Sequence, residues 1–411
     1  MASLKYWLWL STRRGVRPEQ AGRLLEHFGT PEQAYYADEE AYGMVEGLTP
    51  AARTALLDKS LARANAIWGE CDRLGVRILT LGDADYPDRL KNIYDPPIVL
   101  YVRGRLPAFD EEIAVAVVGS RRPSAYGRWM AGKIGLELAT HGGMVVSGIA
   151  QGLDTEALKG ALRGGGAVVS VLGCGVDVHY PRENRWLYED VAAHGALISE
   201  YPPGTQPESW FFPIRNRIIS GLSLGVVAVE CGLKSGTMST VRQALDQDRD
   251  IFAVPGPVGS LLSEGPIRLL QQGAKAVTGG LDIIREYADR YPGRVRFPHT
   301  VQEQEEGPQA AKGPLDGPDP QKMTETVGEK VIDKGPQQAY IDRSGLTDDQ
   351  IDLLLALEDG KRAAEELVDL TQIPARRVLS ALTMLQIQGH VIEHPGRRFE
   401  AAVPLRTGEE M

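Results

Sequence analysis

A repeated pattern of short apolar runs that end at small residues constrains the fold of this chain more than any other feature. The runs are Ala114 to Val118, Val145-Val146, Ala167 to Leu172, Gly225 to Val229 and Ile251 to Val254. Short apolar runs separated by segments of helical length are typical of buried parallel strands joined by crossover helices. The sequence therefore predicts an α/β fold built on a parallel sheet.

The residues that follow these runs predict where a ligand binds. Gly119-Ser120-Arg121 follows the first run, Ser147-Gly148 the second, and Ser235-Gly236-Thr237 stands just after the fourth, at the start of a predicted helix. Ligands of open α/β sheets bind outside the carboxyl ends of the strands. Small residues there let the backbone approach a ligand and point its N–H groups at an anion. We therefore expect a phosphate-binding edge.

Charge and composition exclude several classes of protein. The chain has 411 residues and a net charge of −10, which by itself argues against a nucleic-acid partner. However, residues 113–291 hold 17 basic and 17 acidic side chains, whereas residues 302–335 hold 4 against 8. No apolar run approaches the length of a membrane helix, and the three cysteines lack metal-ligand spacing. We expect a cytoplasmic protein with reduced cysteines, no membrane partner and no bound metal or cofactor.

The pattern along the chain divides it into four segments. Residues 1–66 predict short helices, either a SAM-like or helix-hairpin-helix module or a simple bundle. Residues 67–291 form the predicted sheet domain. It begins with a helix, a strand within 76–83 and the apolar segment 96–104, and this part is expected to add structure to the edge of the main sheet. Residues 292–343 are rich in Gly, Pro, Gln and acidic residues, as in a flexible linker.

Residues 344–411 predict a winged helix, with three helices and a hairpin that turns at Pro395-Gly396. Arg376 and Arg377 open its third helix, and Arg397 and Arg398 lie on the wing. These arginines suit duplex binding through the third helix. Residues 344–403 nevertheless hold 6 basic against 10 acidic side chains, which favours a role in protein contacts or packing.

The segment from Trp210 to Leu222 contains the most informative candidate binding residues. Arg215 and Arg217 flank Asn216, and Phe211 and Phe212 precede them. Guanidinium groups bind phosphates and exposed aromatic rings stack on bases. The alternative is that the phenylalanines belong to the core and the arginines form internal ion pairs. For Arg121, the alternative interpretation is that its turn is an ordinary connection between a strand and a helix.

Candidates for catalysis are few. His141, His179 and His194 are scattered without the spacing of a catalytic triad or a metal site. Glu230, at a strand end, is the carboxylate best placed for acid–base work, and Asp154 is expected to cap the helix that follows it. We therefore predict no catalytic residues.

Several motifs in a fixed order resemble the DNA-processing protein A (DprA/Smf) family. They are VVGSRRPSAYG, VVSGIAQGLD, VLGCGVDVHYP, LISEYPPG, FFPIRNRIISGLS, VVAVECGLKSGTMST, FAVPGPV and LLQQGA. The resemblance covers about residues 85–280. It implies an extended Rossmann-like domain that binds single-stranded DNA, a homodimer, and a mediator that protects incoming DNA and loads a RecA-type recombinase during natural transformation. A single-strand-binding protein is a further candidate partner.

The resemblance also implies a set of DNA-binding residues, all of them at strand ends or in the segment that begins at Phe211. The set comprises Gly119, Ser120, Arg121, Ser147, Gly148, Phe211, Phe212, Arg215, Asn216, Arg217, Lys234, Ser235 and Gly236.

The chain departs from the family pattern at two positions. Leu158 stands where the family usually has His, and Ile267 where it usually has Asn. Both losses suit a binding protein better than an enzyme. Two alternatives remain, a nucleotide-processing hydrolase and a transcription regulator that uses the winged helix. Against the hydrolase, Gly236-Thr237 is not followed by Glu at the spacing of the P-G-G-x-G-T-x-x-E signature.

Overall fold

The predicted apolar runs form strands of a nine-stranded sheet within the part of the chain that the structure describes. The computed structural model describes residues 3–297, 346–357, 360–387, 390–394 and 398–401. The strands of this sheet are β1 Arg77–Thr80, β2 Val99–Gly104, β3 Ile113–Val118, β4 Gly143–Ser147, β5 Val168–Leu172, β6 Gly195–Ser199, β7 Gly225–Ala228, β8 Asp250–Ala253 and β9 Lys275–Ala276.

The strand order is β1-β2-β6-β5-β4-β3-β7-β8-β9. All pairs from β6 through β5, β4, β3 and β7 to β8 are parallel, as is the pair of β8 with β9. The pairs of β1 with β2 and of β2 with β6 are antiparallel. The predicted parallel sheet is therefore confirmed, and residues within 76–83 and 96–104 add two strands to its edge.

Both faces of the sheet are buried, which explains why its strands are continuous apolar runs. In β3, Ile113, Val115 and Val117 belong to one hydrophobic core, and the alternate residues Ala114 and Ala116 belong to the other. The helices that follow the N-terminal region are α7 Asp88–Lys91, α8 Ala125–Thr140, α9 Leu153–Arg163, α10 Arg185–His194, α11 Phe211–Gly221, α12 Gly236–Asp246, α13 Glu264–Gln271 and α14 Gly280–Tyr287. Side chains of α8 and α9 contribute to the first core, and those of α11 and α12 to the second. No helix among the described residues is long and apolar enough to span a membrane.

The N-terminal region is helical, as predicted. Its helices are α1 Leu4–Ser11, α2 Pro18–Phe28, α3 Pro31–Tyr36, α4 Glu39–Gly43, α5 Pro50–Leu57 and α6 Ala62–Leu74. Gly29 closes α2 with φ of 77°, a conformation that favours glycine. The hydroxyl groups of Thr30 and Thr49 accept hydrogen bonds from the first turns of α3 and α5.

The predicted boundary between residues 66 and 67 falls within α6. Side chains from both sides of it, such as Trp9 and Leu56 on one side and Val99 and Tyr101 on the other, belong to one hydrophobic core. The division into one domain at residues 1–66 and another at residues 67–291 therefore remains a proposal. Most of the predicted linker, residues 298–343, lies outside the described residues.

A second unit has the predicted winged-helix elements. Its helices are α15 Asp348–Ala356, α16 Ala364–Thr371 and α17 Ala375–Ile387, and its strands are β10 Arg362–Ala363, β11 Val391–His394 and β12 Arg398–Ala401. The strands form a small antiparallel sheet in the order β10-β12-β11. The predicted turn at Pro395-Gly396 and Arg397 lie outside the described residues. Arg377 forms an ion pair with Asp349 at 2.6 Å, which engages one of the predicted duplex-binding side chains.

Candidate nucleic-acid interface

A cleft of about 570 Å³ lies at the carboxyl ends of the central strands, and we call it the strand-end cleft. Strands β4, β5 and β6 lie on one side of β3 and strands β7 and β8 on the other, so the strand order reverses between β3 and β7. Ligands of open α/β sheets bind at this type of switch point. The lining residues are Val118, Gly119, Ser120, Arg121, Ala150, Asp154, Tyr180, Pro207, Ser209, Phe212, Pro213, Arg215, Asn216, Ile219, Cys231, Gly232, Ser235, Gly236, Thr237 and Thr240.

Arg121 provides an unpaired positive charge in the strand-end cleft. Its side chain is exposed, and its guanidinium carbon lies 5.7 Å from the centroid of the Phe212 ring. Within the described part of the chain this guanidinium group has no hydrogen-bond or ion-pair partner. A guanidinium group beside an aromatic face can bind a phosphate while the adjacent base stacks on the ring.

Arg215 lies deeper in the strand-end cleft and is held by the protein. Its Nη1 donates to the carbonyl oxygens of Gly148, at 3.2 Å, and Val171. Burial lowers the pKa of Arg215 below its ordinary value, an effect that the nearby Asp154 carboxylate opposes. The Nη2 atom of Arg215 makes no hydrogen bond to any described residue. Its N–H groups therefore remain available for a ligand. Arg215 is therefore a rigid, buried donor at the floor of the cleft.

The start of α12 contributes a third group of donors. Ser235 is the residue before this helix, and its side chain makes no capping hydrogen bond. Its hydroxyl oxygen is buried and has no hydrogen-bond partner among the described residues. The positive end of the helix dipole and the N–H groups of the first turn favour an anion here. Lys234, another predicted contact, is exposed and does not line the strand-end cleft.

The two phenylalanines of the predicted aromatic pair face different clefts. Phe212 lines the strand-end cleft, where the Tyr180 ring lies 5.4 Å away between centroids. Phe211 is buried and lies in a separate groove on the other side of the segment. Phe211 therefore does not join Phe212 in the strand-end cleft, because successive residues at a helix start point in different directions, and its contact with DNA stays a prediction. Tyr180 was missed, although it lies in the conspicuous motif VLGCGVDVHYP.

Arg217 does not reach the strand-end cleft, and its expected role as a phosphate ligand is corrected. Its side chain is 1% exposed. Nη1 and Nη2 donate to the two carboxylate oxygens of Glu200 at 3.0 and 2.8 Å, and Nε lies 3.0 Å from a carboxylate oxygen of Asp95. The alternative that this arginine forms internal ion pairs therefore applies to Arg217.

Two carboxylates have structural roles that differ from those expected. Glu230 is buried and accepts hydrogen bonds from the N–H and hydroxyl groups of Ser124, so it stabilises the start of α8. Asp154 accepts from the N–H groups of Gly148 and Ala150 at 3.1 and 3.4 Å. It therefore fixes the loop after β4 rather than capping its own helix. Burial raises the pKa of Asp154, and the Arg215 guanidinium partly offsets this effect.

The two predicted DNA contacts in the loop after β4, Ser147 and Gly148, lie in different surroundings. The Ser147 hydroxyl is buried and donates to the carbonyl of Val117 at 2.8 Å, so this predicted contact is engaged within the sheet. Gly148 lines a small recess of about 70 Å³ together with Arg121 and Phe212. No group of three or more His, Cys, Asp or Glu side chains that could hold a metal occurs within the described part of the chain.

Comparisons with known proteins identify the family. The sequence profile described as DNA recombination-mediator protein A matches residues 77–288, more than half of the chain. The chain belongs to this family. The profile of the DprA winged helix domain matches residues 338–397.

Individual members of the DNA recombination-mediator protein A family are similar over much of the chain. Protein Smf of Synechocystis is 32% identical over 405 residues, which cover 96% of this chain and 98% of that protein. DNA processing protein DprA of Bacillus subtilis is 41% identical over 216 residues, 53% of this chain and 73% of that protein. The X-ray structure of DNA processing protein A from Streptococcus pneumoniae superimposes with a TM-score of 0.61 and 32% identity over 69% of this chain and 97% of that one.

Neither departure from the DprA pattern alters the strand-end cleft directly. Leu158 is fully buried in α9, and Ile267 lies in α13. Neither side chain is among the lining residues of the cleft. The cleft therefore retains its donors and its aromatic ring despite these two replacements.

The packing of Gly148 against Arg215 leads to a testable prediction. A Cβ atom at position 148 would lie 2.6 Å from Nη2 and 2.9 Å from Cζ of Arg215, whose guanidinium is fixed by two carbonyl groups. We expect Gly148→Ala to cost about 1–3 kcal/mol of stability because it displaces this group. Gly69→Ala in α6 is the matched control, since its Cβ would meet nothing within 4 Å. Equal melting temperatures for the two variants would contradict the prediction.

Proposed function

We propose that this protein binds single-stranded DNA in the strand-end cleft and acts without catalysing a reaction. Membership of the recombination-mediator family supports a role in DNA processing. The observation that carries the proposal is the exposed, unpaired Arg121 beside the Phe212 ring, with Arg215 and the α12 start behind them. This arrangement supplies phosphate contacts and one stacking face, which are features common to all single strands.

The geometry favours a single strand over a duplex. Stacking on Phe212 needs an exposed base face, and the bases of a duplex are already stacked on one another. Phosphate contacts and stacking do not read base edges, so binding should tolerate different sequences. Fluorescence anisotropy of the full chain with single- and double-stranded oligonucleotides of equal length tests this. Equal affinity for both forms, or a strong preference for one short sequence, would contradict the proposal.

The finer role that we propose is that of a mediator in natural transformation. The bound strand would be protected from degradation and delivered to a RecA-type recombinase, with a single-strand-binding protein as a further partner and a homodimer as the working form. The family description as a recombination mediator supports this role. A strand-exchange assay with recombinase and DNA precoated with single-strand-binding protein tests it. Failure of the protein to accelerate recombinase assembly on the coated DNA would count against loading.

A nucleotide hydrolase is the main alternative function. The surroundings of Glu230, the candidate residue for acid–base catalysis, argue against that role. Both carboxylate oxygens of Glu230 accept hydrogen bonds from Ser124, and Glu230 does not line the strand-end cleft. Hydrolysis of nucleoside 5′-monophosphates by the purified chain would establish an enzyme and reject pure binding.

The winged helix is expected to be dispensable for single-strand affinity, a second testable prediction. Residues 344–403 hold 6 basic against 10 acidic side chains, and Arg377 is paired with Asp349. A truncation after Phe297 preserves the ion pair between Arg294 and Glu112, at 3.1 Å. Its affinity for single strands should stay within about threefold of the full chain, because few phosphate contacts would be lost. A hundredfold loss would contradict this, and a duplex operator preference of the full chain would support a transcription regulator instead.

A further inference from the structure

A second groove, of about 740 Å³, lies between the N-terminal helices and the segment that leads into α11, and we call it the lateral groove. It is lined by residues within 10–21, 98–99 and 200–214 and by Arg63. It is larger than the strand-end cleft, and the proposed function does not use it.

One wall of the lateral groove is basic. Arg14 and Arg63 are exposed, and neither side chain has a hydrogen-bond or ion-pair partner within the described part of the chain. Arg17 is also exposed and is paired with Glu19 at 2.8 Å. Arg13 is buried against Asp58 and is not available. This wall therefore presents two free guanidinium groups to a ligand.

Acidic residues on the opposite wall do not cancel this charge. The Glu200 carboxylate is bound by Arg217 through two hydrogen bonds. Glu208 accepts a hydrogen bond from the indole Nε1 of Trp210 at 2.6 Å and has no cationic partner among the described residues. Among the described residues, the lateral groove thus has two unpaired cations, Arg14 and Arg63, against one unpaired carboxylate, that of Glu208.

The lateral groove also carries an aromatic cluster. The Phe211 ring contacts the Tyr201 ring, at 4.0 Å between centroids and an interplanar angle of 36°, and the Trp210 ring, at 4.1 Å and 55°. Trp210 is the exposed member of this cluster, with 55% of its surface accessible. An exposed indole ring is a suitable platform for a nucleobase. Together with the arginines of the same groove, it provides both kinds of contact that a single strand requires.

The lateral groove and the strand-end cleft share one wall. Pro207, Ser209, Phe212 and Pro213 face the strand-end cleft, whereas Glu208, Trp210, Phe211 and Ile214 face the lateral groove. The two clefts are therefore adjacent across residues 207–214, which line both of them. We propose that the lateral groove binds the continuing part of the same DNA strand, with Arg14 and Arg63 on phosphates and Trp210 stacked on a base. This inference rests on the proposed function.

The test compares how affinity depends on oligonucleotide length in the full chain and its variants. Oligo(dT) strands from 4 to 30 nucleotides are titrated against the wild type, Arg14→Ala/Arg63→Ala and Trp210→Ala. The control is Lys91→Ala/Arg105→Ala, which removes two exposed cations that line neither the cleft nor the groove. Melting temperatures are recorded for all variants.

We expect the groove variants to weaken binding of long strands and not of the shortest strands that bind. The double arginine variant should lose on the order of tenfold or more on long strands and lower the slope of log K against log salt by roughly 1.4, about 0.7 for each contact. Trp210→Ala should reduce affinity for long strands with an unchanged salt slope, because stacking is not a phosphate contact. The control should resemble the wild type.

Several outcomes would overturn the inference. One is an unchanged affinity for long strands, and another is an equal loss on short and long strands, which would place the effect in the strand-end cleft or in folding. A glutamate-rich peptide that binds in an Arg14- and Arg63-dependent way, without any effect of these variants on DNA, would assign the groove to an acidic protein segment. If Arg121→Ala left all affinities unchanged while the length-dependent loss persisted, the strand-end cleft would be rejected as a DNA site, and the lateral groove would bind DNA but not as the continuation of a strand held in that cleft.

Discussion

Arg217→Ala is expected to destabilise the sheet domain by about 3 kcal/mol or more, because it removes the cation from a buried ion-pair cluster. The guanidinium is 1% exposed and bridges Glu200 and Asp95. Without it, two partly buried carboxylates lie near each other with no compensating charge. A loss of this size corresponds to a fall of roughly 6–12 °C in melting temperature for a domain of this length.

The destabilisation by Arg217→Ala should depend on pH in a defined direction. Burial raises the pKa of Asp95, and Arg217 opposes that rise in the wild type. Removing Arg217 should raise this folded-state pKa further. A carboxyl group whose pKa is higher in the folded than in the unfolded state destabilises the fold above that pKa and ceases to do so once protonated. The difference from the wild type should therefore shrink as pH falls from about 7 towards 5.

Thermal unfolding followed by circular dichroism at both pH values checks this prediction. Arg105→Ala serves as the control, since its exposed side chain has no ion pair among the described residues. If Arg217→Ala melted like the wild type and instead reduced the salt dependence of DNA binding, the internal role of Arg217 would be rejected.

Arg121→Ala is expected to weaken binding to all single strands alike, by on the order of 10- to 150-fold, since a charged hydrogen bond contributes about 1.5–3 kcal/mol. The slope of log K against log salt should fall by roughly 0.7 because one phosphate contact is lost. The melting temperature should stay unchanged, because this guanidinium has no ion pair to lose among the described residues. Anisotropy titrations at several salt concentrations measure both quantities.

Arg121→Lys and Arg122→Ala sharpen the Arg121 experiment. Lysine keeps the charge but loses the two-pronged geometry of the guanidinium, so it should restore affinity only in part. Arg122 is the exposed neighbouring residue and does not line the strand-end cleft, so its removal should have a smaller effect. A fall in melting temperature for Arg121→Ala, with an unchanged salt slope, would show that Arg121 is structural.

The contrast between Arg121 and Arg217 shows the limit of prediction from sequence. Both arginines belong to motifs that the sequence places at the ligand-binding edge, and both were predicted to contact phosphates. Arg121 lies in an exposed turn and remains unpaired, whereas Arg217 meets carboxylates that are 17 and 122 residues away in the chain. The residues next to an arginine in the sequence do not show which distant carboxylates will lie near it in the fold. The burial and ion pairing of Arg217 could therefore not be predicted.

The aromatic pair and the acidic residues show the same limit. Phe211 and Phe212 are adjacent in the sequence, yet they line different clefts because the start of α11 separates them. Asp154 was expected to cap its helix, but the loop after β4 folds back so that its N–H groups meet this carboxylate. The lateral groove was not predicted at all, since its two walls come from Arg14 to Arg17 and from Tyr201 to Ile214.

The sequence alone predicted the parallel sheet and the five apolar runs that form β3, β4, β5, β7 and β8, because burial on both faces of a parallel sheet requires continuous apolar runs. It also determined the edge at which a ligand binds, since Gly119, Gly148 and Gly236 follow strands that must end on the same side. Only the tertiary structure decided which charged side chains face solvent and which are paired, as with Arg121 and Arg217. Pairing depends on distances between residues far apart in the chain, and those distances are fixed only when the sheet and its helices pack together.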